Sequence, residues 1–314
     1  MDITLQRLRL RTDASLEPDC QPTQRGLARE FCGDDAAWTR LMSQFGMVLA
    51  PPVLSPARTV GHGRFYLGVE GWITGVSSSA DYWQLGTEGD EHAGMDMRNR
   101  FASATVFASR LSIRKGFPFG LELGTSIGHV FDTEVWTWGL EVKWALFEGF
   151  RTGLGILPDV AVRGMVHTLT GDWDFNLTVP TFDIVVSKPI VVAGTMTITP
   201  YVSGQVVWIL ADSELVDLTP DVDAFEMCRP TAGGPPGLNC SIPNGGADFN
   251  NNDVFEQVRA TRMRLAFGAQ FQYEAFTFNG SFHFDLSKPN DADSDVPSDL
   301  PRQWSVAFGA GLTY

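Results

Sequence analysis

The chain has 314 residues, of which 44% are apolar and only 19% charged, with 32 Gly, 22 Phe and 9 Trp. That length suits one large all-β domain or two ordinary ones, and the apolar content excludes general disorder. Acidic residues outnumber basic ones by 37 to 23, a net charge of −14, which excludes nucleic acid as a partner because nothing would neutralise its phosphates.

The longest apolar run, Phe45 to Leu54, is broken by Pro51 and Pro52 and is too short to cross a bilayer as a helix. Met1 and Asp2 are not followed by the apolar core of an export signal, as expected of a mature exported protein or of a cytosolic one. Four cysteines fall into two pairs of identical spacing, Cys20 with Cys32 and Cys228 with Cys240. No His cluster accompanies them, so they read as two local disulfides rather than as a zinc site. Each bridge would contribute roughly 3 kcal/mol in the chain-entropy model and would place the chain in an oxidising compartment.

In chain order, residues 1–62 form a head distinct from the rest of the chain. Asp34 and Asp35 open a helix whose apolar residues Trp38, Leu41, Met42 and Phe45 share one stripe, with Gly46 as a candidate cap. Pro51, Pro52 and Pro56 then impose an extended linker. The stripe must be buried against something. A helix packed on the main domain, a plug of the barrel and an assembly element are the readings open to it, and the surfaces available are the barrel's periplasmic mouth, the lipid interface and neighbouring heads. The mouth calls for polar contacts that the stripe does not offer, and a membrane-surface helix would want Lys and Arg on its polar face. Elimination therefore favours neighbouring heads in a homo-oligomer, or lipid enclosed by them.

From Gly63 to Tyr314 the apolar period becomes two, the signature of strands with one apolar and one polar face. Ten strands are predicted, at 63–76, 103–115, 120–131, 135–147, 159–169, 175–187, 196–210, 258–274, 276–287 and 302–314. Several are long enough to cross a bilayer when tilted. The connections 77–102, 211–257 and 288–301 are long and acidic, whereas the alternate ones are short or moderate, the asymmetry of a transmembrane barrel. The Trp, Phe, Leu and Val faces then meet lipid, and the Gly, Ser, Thr and Gln faces line the lumen. The fold class is thus all-β, an antiparallel transmembrane barrel of about ten strands (63–314) with an N-terminal helical segment on the periplasmic side. An even strand number puts the head and Tyr314 at the same rim. A soluble β-sandwich binding domain is the competing architecture.

The last strand, Gln303 to Tyr314, resembles the carboxy-terminal signal of Gram-negative outer-membrane barrels, which ends on an aromatic residue preceded by apolar residues at alternate positions. Here Phe308, Leu312 and Tyr314 carry the pattern, with Tyr where Phe is usual. The resemblance implies an outer-membrane location, contact with outer-membrane lipids and reading of the strand by the barrel-assembly machinery. The layout of a helical head on a porin-like barrel is similar to the porin-like, lipid-trapping oligomers of predatory bacteria, which implies a non-conducting, lipid-binding alternative to porin-like passage.

Parity turns Glu70, Arg110, Arg114, Glu122, Glu141, Lys143, Arg163, Arg262, Arg264 and Asp285 into the lumen, with His283 beside them. Both signs are present, as in a paired network filling a narrow barrel or a charged eyelet that selects solutes. His283 and Asp285, two apart on one strand, are read as a hydrogen-bonded lumen pair. A similar pair serves hydrolysis in omptin proteases, but the further acidic partners of that family are not identifiable here. No nucleophile elbow, metal-binding His pair or cofactor motif is present. Asp248, Asn250, Asn252 and Asp253, and Asp291, Asp293 and Asp295, have the alternate spacing of a calcium loop without its glycine and distal Glu, and read as solvated acidic loops.

Overall fold

The computed structural model describes residues 2–13, 20, 23–24, 27–89, 98–148, 157–220, 229–230, 238–239, 251–286 and 300–314. Ten strands form one antiparallel ring: β1 (Phe65–Gly75), β2 (Thr105–Gly116), β3 (Leu121–Val130), β4 (Trp136–Phe147), β5 (Asp159–Thr170), β6 (Phe175–Ser187), β7 (Met196–Ser213), β8 (Val258–Tyr273), β9 (Phe276–Asp285) and β10 (Trp304–Thr313). Each strand pairs with its sequence neighbour, and β10 returns to β1, so no barrel edge is left open. At that seam Phe65 and Tyr314 exchange backbone hydrogen bonds of 3.0 and 2.9 Å. Pro180, which has no N–H to give, and Val179 drop out of the β6–β7 ladder, which resumes in unchanged register at Thr181–Val207. The short strand Ile190–Ala193 only extends the edge of β7.

The two faces divide as the period of two requires. Val69, Leu111, Ile127, Trp138, Leu140, Val142, Phe267 and Phe308 stand outward and exposed. Trp136 and Trp304 ring the rim that carries the long connections, whereas Trp144, Phe147, Tyr273 and Phe276 ring the rim of the short turns. An apolar belt between two aromatic girdles around a closed ring is the surface of a membrane-spanning barrel.

The head departs from expectation in its place, not in its helix. Helix α1 (Asp35–Leu49) has the predicted start: the Asp34 carboxylate accepts from Ala37 N–H at 2.9 Å. Gly46 does not cap it. The helix runs on to Leu49 and stops at Pro51, and a Cβ on Gly46 would stand 2.5 Å from Ile209 on the barrel wall, so the glycine permits close helix–wall approach. The head forms no helical body on the short-turn rim. Residues 34–60 lie inside the ring, entering at the long-loop rim and leaving at the short-turn rim, where Gly63 N–H meets Gly116 O.

The remaining head caps the long-loop mouth. Asp2 joins Glu88 and Glu134, Thr4 N–H reaches Gly86 O, and Arg9 donates to Leu218 O. Arg29 pairs with Asp253, whose carboxylate also accepts from Gly33 N–H. The expected Cys20–Cys32 disulfide closes this cap. Cys228, Cys240, Asp248, Asn250, Asp291, Asp293 and Asp295 lie outside the described residues. Asn252 and Asp253 do not stand in a solvated loop: both pair in a short ladder with Val216–Asp217, and Asp253 docks the head beside Asn251, whose Oδ1 accepts from Glu30 and Phe31 N–H.

The belt generates a depth-dependent expectation. Leu140→Arg, near the middle of outward-facing β4, should destabilise the protein in lipid vesicles by about 2–4 kcal/mol in urea unfolding. A change below about 0.5 kcal/mol, the scatter of neutral surface substitutions, would show that Leu140 does not face lipid.

Candidate functional site

The lumen has two zones, set by which inward residues the strands supply. In the long-loop half they are apolar: Val106 and Ala108 (β2), Leu169 (β5), Phe175, Leu177 and Val179 (β6), Val207 and Ile209 (β7), Val258 and Ala260 (β8). Against them α1 buries Trp38, Leu41, Met42 and Phe45, all at 0% exposure. These four were expected to contact neighbouring heads or lipid. They face the inside of their own barrel instead, because the upper lumen offers the apolar wall that the stripe needs. Trp38 meets Phe175 edge-on at 5.9 Å and donates through Nε1 to Glu256 O at 2.9 Å.

Toward the short-turn half the inward residues are mostly charged; every predicted lumen charge is inward and buried, with Arg262, His283 and Asp285 nearer the long-loop ends of β8 and β9, Arg262 directly across the ladder from Val207. Glu70 bridges Arg110 at 2.6 Å and Arg114 at 2.7 Å. Glu122 holds Lys143 at 2.9 Å. Arg163 lies 3.9 Å from Glu141 and forks onto Asp183, its Nη2 at 2.9 Å. Arg262 pairs with Asp285 and reaches Gln303 Oε1 at 2.9 Å. Burial of so many charges is tolerable because each meets an opposite charge or a hydrogen-bond partner. The arrangement is the paired network, not an open eyelet.

Arg264 is the exception in kind. It has no carboxylate partner among the described residues. Its guanidinium donates to Gln205 Oε1, to Ala50 O at 3.1 Å and to Pro51 O at 2.5 Å. Those carbonyls belong to the end of α1, where the helix dipole is negative and its last C=O groups lack intrahelical partners. Arg262 likewise donates to Ser43 O at 3.2 Å. Below the helix the extended segment is held at each step. Tyr201 Oη donates to Val53 O at 3.1 Å, and just above, on the last turn of α1, Val48 O accepts from Trp72 Nε1 at 2.7 Å. Ala57 N–H donates to Ser187 Oγ at 3.1 Å, and Val60 N–H to Glu122 Oε2 at 2.8 Å.

His283 and Asp285 do not pair with each other. His283 Nε2 meets Ser281 Oγ at 2.8 Å, and Asp285 is taken by Arg262. Asp285 is drawn to the opposite charge of Arg262 on the neighbouring strand, which leaves His283 to Ser281, two positions back on its own strand. Sequence reasoning also missed Asp183, His167 and Gln205. Parity could have found Asp183, which lies between outward Phe182 and Ile184. His167 Nε2 accepts from Arg110 Nη1 at 3.2 Å, since arginine has only donors.

No family model matches the chain, and no curated protein matches it. Among solved structures it is similar to the N-terminal β-barrel domain of Pseudomonas aeruginosa OprF at 9% identity, covering 81% of this chain and 99% of that one, with a TM-score of 0.30. The KdgM porin matches at 6% identity over 79% of this chain and 99% of its own, TM-score 0.29. The Pseudomonas aeruginosa outer membrane protein OprG matches at 9% over 81% and 98%, TM-score 0.30. At such low scores the architecture rests on the chain's own closed strand ladder.

Two sets of substitutions probe these zones. Arg163→Met should cost about 3–5 kcal/mol by leaving Asp183 and Glu141 buried without their cation. Adding Asp183→Leu should recover part of that loss in a double-mutant cycle. If the double variant is no better than the sum of the singles, the pair is not coupled. The second set concerns Asp35 at the first turn of α1. Burial raises its carboxyl pKa above the ordinary 3.8, aided by Glu256, Asp253 and Asp34, although Glu256 N–H opposes the shift. The folded state therefore holds a proton that the unfolded state has lost, so this group's contribution to stability falls as pH rises from the unfolded to the folded pKa. Asp35→Asn, which keeps the acceptor, should flatten that dependence in thermal melts between about pH 3.5 and 6, the window just around and above the unfolded carboxylate pKa. An unchanged profile would show that Asp35 is not the group responsible.

Proposed function

We propose that the protein is an integral barrel of the Gram-negative outer membrane that its own N-terminal segment keeps sealed, and that it serves as a non-conducting membrane element presenting its head and long loops. The observation that carries this reading is the course of residues 34–60, which occupy the lumen from rim to rim. The apolar belt is its contact with outer-membrane lipids. Phe308, Leu312 and Tyr314 end the strand that closes the ring, the place where an assembly signal for the barrel-assembly machinery would be read. By the usual asymmetry of such barrels the short turns are periplasmic, so the head lies on the outer side. Homo-oligomerisation and lipid trapping through the α1 stripe lose their basis, because the stripe is spent inside the barrel.

Regulated passage is the second reading. It is favoured by a cavity of 980 Å³ at the short-turn rim, lined by Arg58, His62, Arg114, Lys143, Gln270 and Gln272, which brings solute as far as the extended part of the segment. Planar bilayers separate the two. The full chain should insert without unitary conductance. The variant Trp38→Ala/Phe45→Ala, which weakens the seat of α1 but leaves the charge network, should show intermittent openings. Steady conductance by the full chain would overturn the sealed-barrel reading.

A further inference from the structure

The rims pose a problem of order. β1 starts at the short-turn rim, yet the described residues before 34 that contact the barrel do so at the opposite rim, so the ring is closed around its own chain. Either the head passes down a finished barrel, or the barrel forms around a head already in place.

Size decides between them. The upper lumen is filled by a single helix, a body about 10–12 Å across with its side chains. The cap above it spans the opening. It touches the β1–β2 connection at Gly86 and Glu88, the β3–β4 connection at Glu134, and the β7–β8 connection at Leu218 and Asp253, on different sides of the mouth. The Cys20–Cys32 bridge ties its chain into a loop that cannot straighten. A closed ten-stranded ring cannot widen to admit such a body, because opening it means breaking a whole ladder of backbone hydrogen bonds in lipid, where no water replaces them.

We infer that the ring closes around the N-terminal segment, with α1 as the form on which the strands assemble, and that the head reaches the long-loop side through closure itself. The contacts fit that order. α1 packs against β1, β2, β6, β7 and β8, and Arg262 and Arg264 donate to carbonyls of the helix and of the residues that end it. An apolar upper lumen closed without α1 would be an unfilled or wetted cavity, the costly alternative. This order of events holds whether or not the segment later gates passage.

Refolding of the full chain into detergent tests it. Two signals are tracked in time: heat-modifiable migration, which reports ring closure, and protection of Arg40 in the middle of α1 from trypsin, read by mass spectrometry. Protection should arise no later than closure. A heat-modifiable species in which Arg40 is still cut, and which later becomes protected, would overturn the inference. A second variant carries a small, urea-resistant folded domain fused ahead of Met1. Closure around the segment tolerates it, giving a heat-modifiable barrel with Arg40 protected. Passage through a finished ring does not, giving a heat-modifiable barrel with Arg40 cleaved. If the fusion fails to refold, the time course of the unmodified chain decides alone.

Discussion

A ten-stranded ring is wider than its own inward side chains can fill, and the remainder of the structure depends on that excess. Eight strands leave an interior that side chains just occupy. Two more strands add a column of space, which must hold water, ligand or protein. Here it holds protein, and the inward residues are graded to match. Where the segment is helical and apolar the wall is Val, Leu, Ile and Ala. Where it is extended, with backbone carbonyls and amides exposed, the wall is Arg, Glu, Gln and Tyr. Segment and wall therefore specify each other's order along the axis, and a segment inserted the other way round would set apolar rings against guanidinium groups.

The ring itself was legible because a strand's period is short and repeats. Each predicted strand matches an observed one within a few residues, and parity assigned each predicted lumen charge to the correct face. α1 was legible from Asp34 and the spacing of Trp38, Leu41, Met42 and Phe45. The destination of α1 was not, since periodicity says that a stripe is buried without saying against what. The missing clue was in the strands. In β7 the run Val206-Val207-Trp208-Ile209-Leu210-Ala211 is apolar on both faces, the mark of a strand covered on each side. A lumen open to water would not carry Val207 and Ile209, so that stretch required an apolar body inside the barrel. Asp183 was overlooked because Pro180 weakens the strand signal of β6, and the partner of Arg163 went with it.

The charged zone explains why the segment is held in one register rather than merely enclosed. Hydrophobic contact is non-directional, so α1 alone could slide or turn in its apolar seat. Guanidinium donors are directional. Arg262 on Ser43 O and Arg264 on Ala50 O and Pro51 O fix both the depth and the rotation of the helix end. Gln205 links Arg264 to Asp183 at 3.1 Å, and so to Arg163 and Glu141. The position of the segment is thereby coupled to a network spanning β4 to β8, and neither part can shift without leaving buried polar groups of the other unpaired.

The two zones differ in what they demand of an empty lumen. If the segment were displaced, water could enter the lower zone and solvate Arg264, Tyr201 and Gln205, so most of their lost hydrogen bonds would be replaced. The upper zone has no such recourse, and α1 would expose its own apolar face on leaving. Burying a large apolar side chain is worth about 1.5–3 kcal/mol. Four such contributions seat α1, and because the ring is closed around the chain, α1 can be displaced only with the segment still threaded through the lumen. The charged network fixes where the segment sits, and the apolar seat fixes how rarely α1 is displaced.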